Sequence, residues 1–85
     1  MESESIWKNA AWEVLETIRA DGRRQVGRRP SAKQIKAVLA DTETLKVVLT
    51  RENPDTANML FDENGYLART GAGVIATATL LIQGD

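Results

Sequence analysis

The chain has 85 residues, 42% of them apolar and 27% charged, and a formal net charge of −1. That length holds one domain with a modest core, burying roughly 60–65% of its unfolded surface, so a single domain over residues 1–85 is expected. With neither Cys nor His, disulfides, thiolate or imidazole metal sites and the usual Ser or Cys triads are excluded, and no enzyme activity and no cofactor are expected.

Ser3 or Ser5 is expected to cap a first helix over about residues 6–20. Ile6, Ala10, Ala11, Val14, Leu15 and Ile18 recur at helical spacing with Trp7 on the same half, while Lys8, Glu13, Glu16 and Arg19 take the other. Trp12 falls on that polar side. It either lies over the stems of Lys8 and Arg19 or makes a dimer or partner contact. Gly22 and Gly27 are expected to break the chain, and Pro30 disfavours helix just before it.

The charge is concentrated here. Arg19, Arg23, Arg24, Arg28, Arg29, Lys33 and Lys36 meet a single acid, Asp21, across residues 19–36, a local charge of +6. Residues 1–18 carry −3 and residues 37–85 carry −4, so a cationic segment lies between acidic ones and steers anionic partners.

Ser31-Ala32-Lys33-Gln34 has the S-x-x-Q form of a capping box and opens a second helix over about 31–40. Ala32, Ile35, Val38 and Leu39 form its inward stripe, and Lys33 and Lys36 point outward. Asp41 or Thr42 caps a third helix over 42–52, ending by Asn53, with Leu45, Val48 and Leu49 on one face. The β-branched run over 46–50 makes a strand a competitor there. Asn53-Pro54-Asp55 suits another helix start, with Ala57, Leu60 and Phe61 inward and Asn64-Gly65 as a left-handed end.

Beyond Gly65 the period changes to two. Residues 66–69 read as a short strand, 70–73 as a turn, and Val74, Ala76, Ala78, Leu80 and Ile82 as one face of a returning strand. The expected class is α+β: three or four helices followed by a C-terminal two-stranded β-hairpin. MESES at the start is acidic where a secretory signal is basic, and the apolar run over 74–82 is far shorter than the ~20 residues of a membrane span. A cytoplasmic protein is expected.

This order of elements resembles a winged helix. GRRPSAKQIKAVLADTETLKVVL is similar to the G-x-x-P-[ST]-x-x-x-I-x-x-x-L run that enters a helix-turn-helix in many bacterial and phage regulators. NGYLARTGAG is similar to the strand and glycine-rich tip of a wing, and VIATATLLI to its returning strand. The likeness covers about residues 28–82 and departs from the pattern at Asn53-Pro54, which inserts a break and a short helix before the wing.

The resemblance implies duplex DNA as partner and residues 42–52 as the reading helix. Thr44, Lys46, Val47, Thr50 and Arg51 would face the major groove, and Arg69 at the wing would reach backbone or minor groove. Arg23, Arg24, Arg28 and Arg29 would contact phosphates from the loop, Lys33 and Lys36 would extend that surface, and the amides around Ser31 would add a favourable dipole. The plain alternative is a hydrated face whose arginines pair with acids elsewhere. Thr70-Gly71-Ala72-Gly73 lacks the G-K-[ST] of a phosphate loop and is taken as turn chemistry.

The leading expectation is a small non-enzymatic DNA-binding protein, a regulator or accessory factor of a bacterium, plasmid or phage, acting in transcription regulation as a possible homodimer. The alternative is a protein-interaction module, a subunit or inhibitor, that sets its basic loop on an acidic protein partner; the net charge of −1 favours it. A small virion structural or connector protein is a third expectation.

Overall fold

Five α-helices make up the computed structural model, which describes residues 2–84: α1 (Glu2–Val26), α2 (Ala32–Ala40), α3 (Thr42–Glu52), α4 (Pro54–Leu60) and α5 (Arg69–Gln83). Among the described residues, strand pairing is limited to one isolated antiparallel bridge between Phe61 and Leu67. The expected α+β winged-helix class is therefore corrected to all-α, and neither strand nor wing tip forms over 66–82.

The reason lies in α5. Its buried positions are Gly71, Val74, Ala78 and Ile82, spaced by three and four. Ala76 and Leu80, which the strand pattern placed on the same side, are exposed. Alanine and leucine favour helix, and the two threonines within 74–82 are accommodated: the Thr77 and Thr79 hydroxyls donate to the carbonyls of Gly73 and Ile75, each at 2.9 Å. A lone hairpin would leave both edges open. A helix satisfies its own backbone and buries one stripe, and α1 is its most extensive partner. Residues 70–73 are then the first turn of α5, where Gly71 lies against the Leu60 carbonyl and Gly73 against the Trp7 ring.

α1 runs on past the expected end at residue 20. Gly22 does not break it, because the Pro30 ring folds back onto the helix there; a Cβ on Gly22 would lie 2.9 Å from Pro30 Cγ. The helix ends at Gly27, whose φ of 74° is left-handed and whose amide donates to the Arg23 carbonyl at 2.7 Å. Arg23 and Arg24 thus occupy the last turn of α1, where the helix dipole favours cations, and not a loop. Arg19 is also displaced from its expected place: it is buried, pairs with Glu16 at 2.9 Å and lies 5.8 Å over the Trp12 ring. The capping role expected of Ser3 or Ser5 concerns side chains outside those described.

The three short helices are joined by capped corners. Ser31 and Gln34 form the capping box, with the Ser31 amide donating to Gln34 Oε1 at 2.7 Å and the Gln34 amide to Ser31 Oγ at 3.3 Å. Ser31→Ala is expected to cost about 1 kcal/mol, read as a lower urea midpoint; an unchanged midpoint would show that the box contributes nothing. Asp41 ends α2 and caps α3. The Thr44 hydroxyl at 2.7 Å and the Thr44 amide at 3.2 Å donate to its carboxylate and hold it below the ordinary aspartate range. Asn53 accepts from the Thr56 amide at 3.3 Å, and Pro54 takes the first helical position of α4.

α4 ends at Leu60, before the expected Asn64-Gly65 stop. Gly65 does have a positive φ of 82°, but within a turn built on Asp62, whose carboxylate accepts from the amides of Asn64 and Tyr66. On α2, Ile35 and Leu39 are buried, Val38 is half-buried and Ala32 is exposed. The core centres on Val14, Leu15, Ile35, Leu45, Leu49, Leu60 and Val74, drawn from every helix.

Candidate functional site

The basic segment becomes a ridge along the end of α1, the 27–31 connection and the start of α2. Arg23, Arg24, Arg28, Arg29, Lys33 and Lys36 are all exposed along it. They are not equivalent. Arg24 donates to the two carboxylate oxygens of Glu52 from its terminal nitrogens Nη1 and Nη2, the Nη2 contact measuring 2.9 Å. Arg51 pairs with Asp21 and reaches Glu52 at 3.5 Å, and Gln25 donates to Asp21 at 2.8 Å. Asp21 and Glu52 are nearly buried, with side chains 10% and 13% exposed, so this network ties the end of α1 to the end of α3. Arg23, Arg28, Lys33 and Lys36 have no ion pair among the described residues. Those four carry the field of the ridge.

The residues expected to read DNA on α3 are largely engaged inside the domain. The Arg51 guanidinium is held by Asp21, and the Thr44 hydroxyl is held by Asp41. Lys46 is half-buried with its ammonium against Gly65. The Ser31 hydroxyl and the Ser31 and Gln34 amides are taken up by the capping box, which narrows the cradle an anion would use. A helix-turn-helix joins its helices by three or four residues, whereas a single residue, Asp41, separates α2 from α3.

Arg69 is the first residue of α5, not part of a wing. Gly73 in the same turn meets Trp7, sixteen residues and so about 24 Å along α1 from Arg23. The start of α5, with Arg69, thus lies far from the Arg23 end of the ridge. Of the two places expected for Trp12, over the Lys8 and Arg19 stems or at a dimer or partner contact, it takes the one beside Arg19, half-buried against the core.

Beside the ridge is a groove of about 460 Å³ between α1, α2 and α3. From α1 it is lined by Ile18, Asp21, Gly22, Gln25 and Val26, and from the connection and α2 by Pro30, Gln34 and Val38. Glu43, Thr44, Val47, Val48 and Arg51 of α3 complete it. Ile18 and Val48 are buried at its base, whereas Val26 and Val47 are 60% and 59% exposed at its margins. The Asp21–Arg51 pair supplies a polar end. Such a shape, mostly apolar with a few convergent polar groups, suits a ligand or peptide side chains better than a phosphate backbone.

The apolar half of this site is hidden in the sequence by Gly22, which reads as a break. Continued past residue 20, the α1 stripe of Val14, Leu15 and Ile18 runs on through Gly22, Gln25 and Val26 at spacings of three and four. Among the described residues no three or more metal-ligating side chains come together, and no helix is long and apolar enough to cross a membrane. No protein-family model matches this chain, and no curated protein or solved structure is significantly similar to it.

Proposed function

We propose that this chain is a non-catalytic interaction module whose cationic ridge binds an acidic segment of another protein. The observation that carries the reading is the set of four exposed cations without ion pairs, Arg23, Arg28, Lys33 and Lys36, two of which, Arg23 and Lys33, are next in the chain to residues that line an apolar groove. Helix α3 beside them offers engaged cations, an exposed Glu43 and an exposed Val47, a poor surface for reading bases and a good one for a protein. Each exposed charge contributes little, about 0.2–1 kcal/mol, so affinity from the ridge alone is modest and falls with salt.

Duplex DNA held through its phosphates alone is the second reading, favoured by the same four cations. Anisotropy across a salt series, with a labelled Glu–Ala peptide and a labelled duplex, separates the two. The peptide is expected to bind, and Arg28→Ala/Lys33→Ala to weaken it by about three- to tenfold at low salt. Tighter binding of the duplex, with a salt slope that falls by about 2 in the double variant, would select DNA instead. Binding of neither would overturn the interaction module.

A further inference from the structure

We infer that the α1–α2–α3 groove takes the apolar face of an acidic amphipathic helix from a partner protein, a commitment that rests on the reading of the ridge as an acidic-segment site and adds a second surface to it. The groove has the parts such a helix needs. Its base is aliphatic, from Ile18 and Val48, and its margins present Val26 and Val47, side chains that a monomer would otherwise leave in water. At about 460 Å³ it accommodates several aliphatic side chains, the anchors of a helix laid lengthwise.

Charge complementarity names the other face of the occupant. Two lining positions have an exposed cation without an ion pair next to them in the chain: Gly22 has Arg23 and Gln34 has Lys33. The lining itself holds Asp21, Glu43 and Arg51, with Asp21 and Arg51 satisfied by one another. With the Asp21–Arg51 pair neutral, the unpaired cations nearest the groove are Arg23 on the α1 side and Lys33 on the α2 side, and acidic residues at the edges of the apolar stripe of a bound helix would pair with them, on the side away from Glu43.

A second copy of this chain does not fit that description. The acidic first half of α1 buries its apolar stripe, Ala10, Ala11, Val14 and Leu15, in its own core. α4 likewise commits Thr56, Ala57 and Leu60 inward. Ile6 and Met59 are exposed on these two helices, but each is a single side chain and not a stripe at spacings of three and four that could enter a neighbour's groove.

The test compares two labelled peptides of about 15 residues, long enough to form several helical turns. One is the Glu–Ala peptide above. The other carries leucines at i, i+3, i+4 and i+7 in place of alanines, and a shuffled version serves as control. The leucine peptide is expected to bind at least about tenfold more tightly than either the Glu–Ala or the shuffled peptide. Val26→Asn/Val47→Asn, at two exposed positions that do not support the core, should abolish that gain while the Glu–Ala peptide binds as before. Amide shifts in the labelled domain should cluster over 18–26, 34–38 and 43–51.

No gain from the leucines, or a gain that survives the double asparagine variant, would overturn the groove while leaving the ridge standing. Binding of the leucine peptide without binding of the Glu–Ala peptide would sustain the groove and overturn the ridge. Self-association abolished by the asparagines, or duplex DNA shifting the same groove amides, would reassign the site to a second copy or to nucleic acid and overturn the proposal.

Discussion

Leu49→Ala is expected to lower stability by about 2–5 kcal/mol, while Val47→Ala, two residues earlier, changes it by no more than about 0.5 kcal/mol. Leu49 is completely buried and belongs to the core contributed by α3, which packs on α1, α2 and α4. Truncation there removes the burial of the lost methyl and methylene groups and opens a cavity that three neighbouring helices cannot all close. Val47 is 59% exposed at the margin of the groove. The comparison also tests the form of this segment: in a strand, residues 47 and 49 would share a face and cost alike. Urea unfolding of the two variants measures the difference, and similar losses would refute the helix.

Gly71→Ala is expected to cost about 2 kcal/mol net and to lower the melting temperature by about 8–16 °C, as followed by far-UV circular dichroism. A Cβ at this position would fall on the Leu60 carbonyl oxygen and within 2.7 Å of the Leu67 side chain. The carbonyl is backbone at the end of α4, already accepting from the Ala68 amide at 2.8 Å, so α5 must shift as a body to make room. Overpacking of this kind costs about 1–3 kcal/mol, and the clash with backbone sets it at the upper end. Alanine offsets up to about 1 kcal/mol of that through helix propensity. In an open turn, as the hairpin expectation had it, no such clash would exist. A raised melting temperature would therefore refute the packing of α5 on α4.

Some elements were legible because their causes are local. The S-x-x-Q box at Ser31, the Asp41 corner and the Asn53-Pro54 start each satisfy helix amides with a side chain two or three residues away. α5 was not legible for an equally definite reason. Val74, Ala78 and Ile82 belong both to a period of two and to a spacing of four, so the residues that the strand and the helix share could not choose between them. Ala76 and Leu80, exposed in the helix, and Ile75 and Leu81, packed against the core, discriminate, and their burial is set by what α5 packs against.

The candidate site divides in the same way. That Arg23, Arg24, Arg28, Arg29, Lys33 and Lys36 form a cationic surface was readable from their density. Which of them are free was not. Arg24 and the other expected contact Arg51 are neutralised by acids 28 and 30 residues away in the chain.

By itself, the sequence determined the absence of imidazole and thiol chemistry, the placement of +6 in one short segment and the three capped helix starts, because composition and local hydrogen bonding suffice for these. The tertiary structure alone decided that the C-terminus is a helix, that α1 continues through Gly22 beneath Pro30, and that an apolar groove opens beside the ridge. Each of those outcomes is set by contacts between segments far apart in the chain, whose free energy overrides the local preferences of the residues concerned.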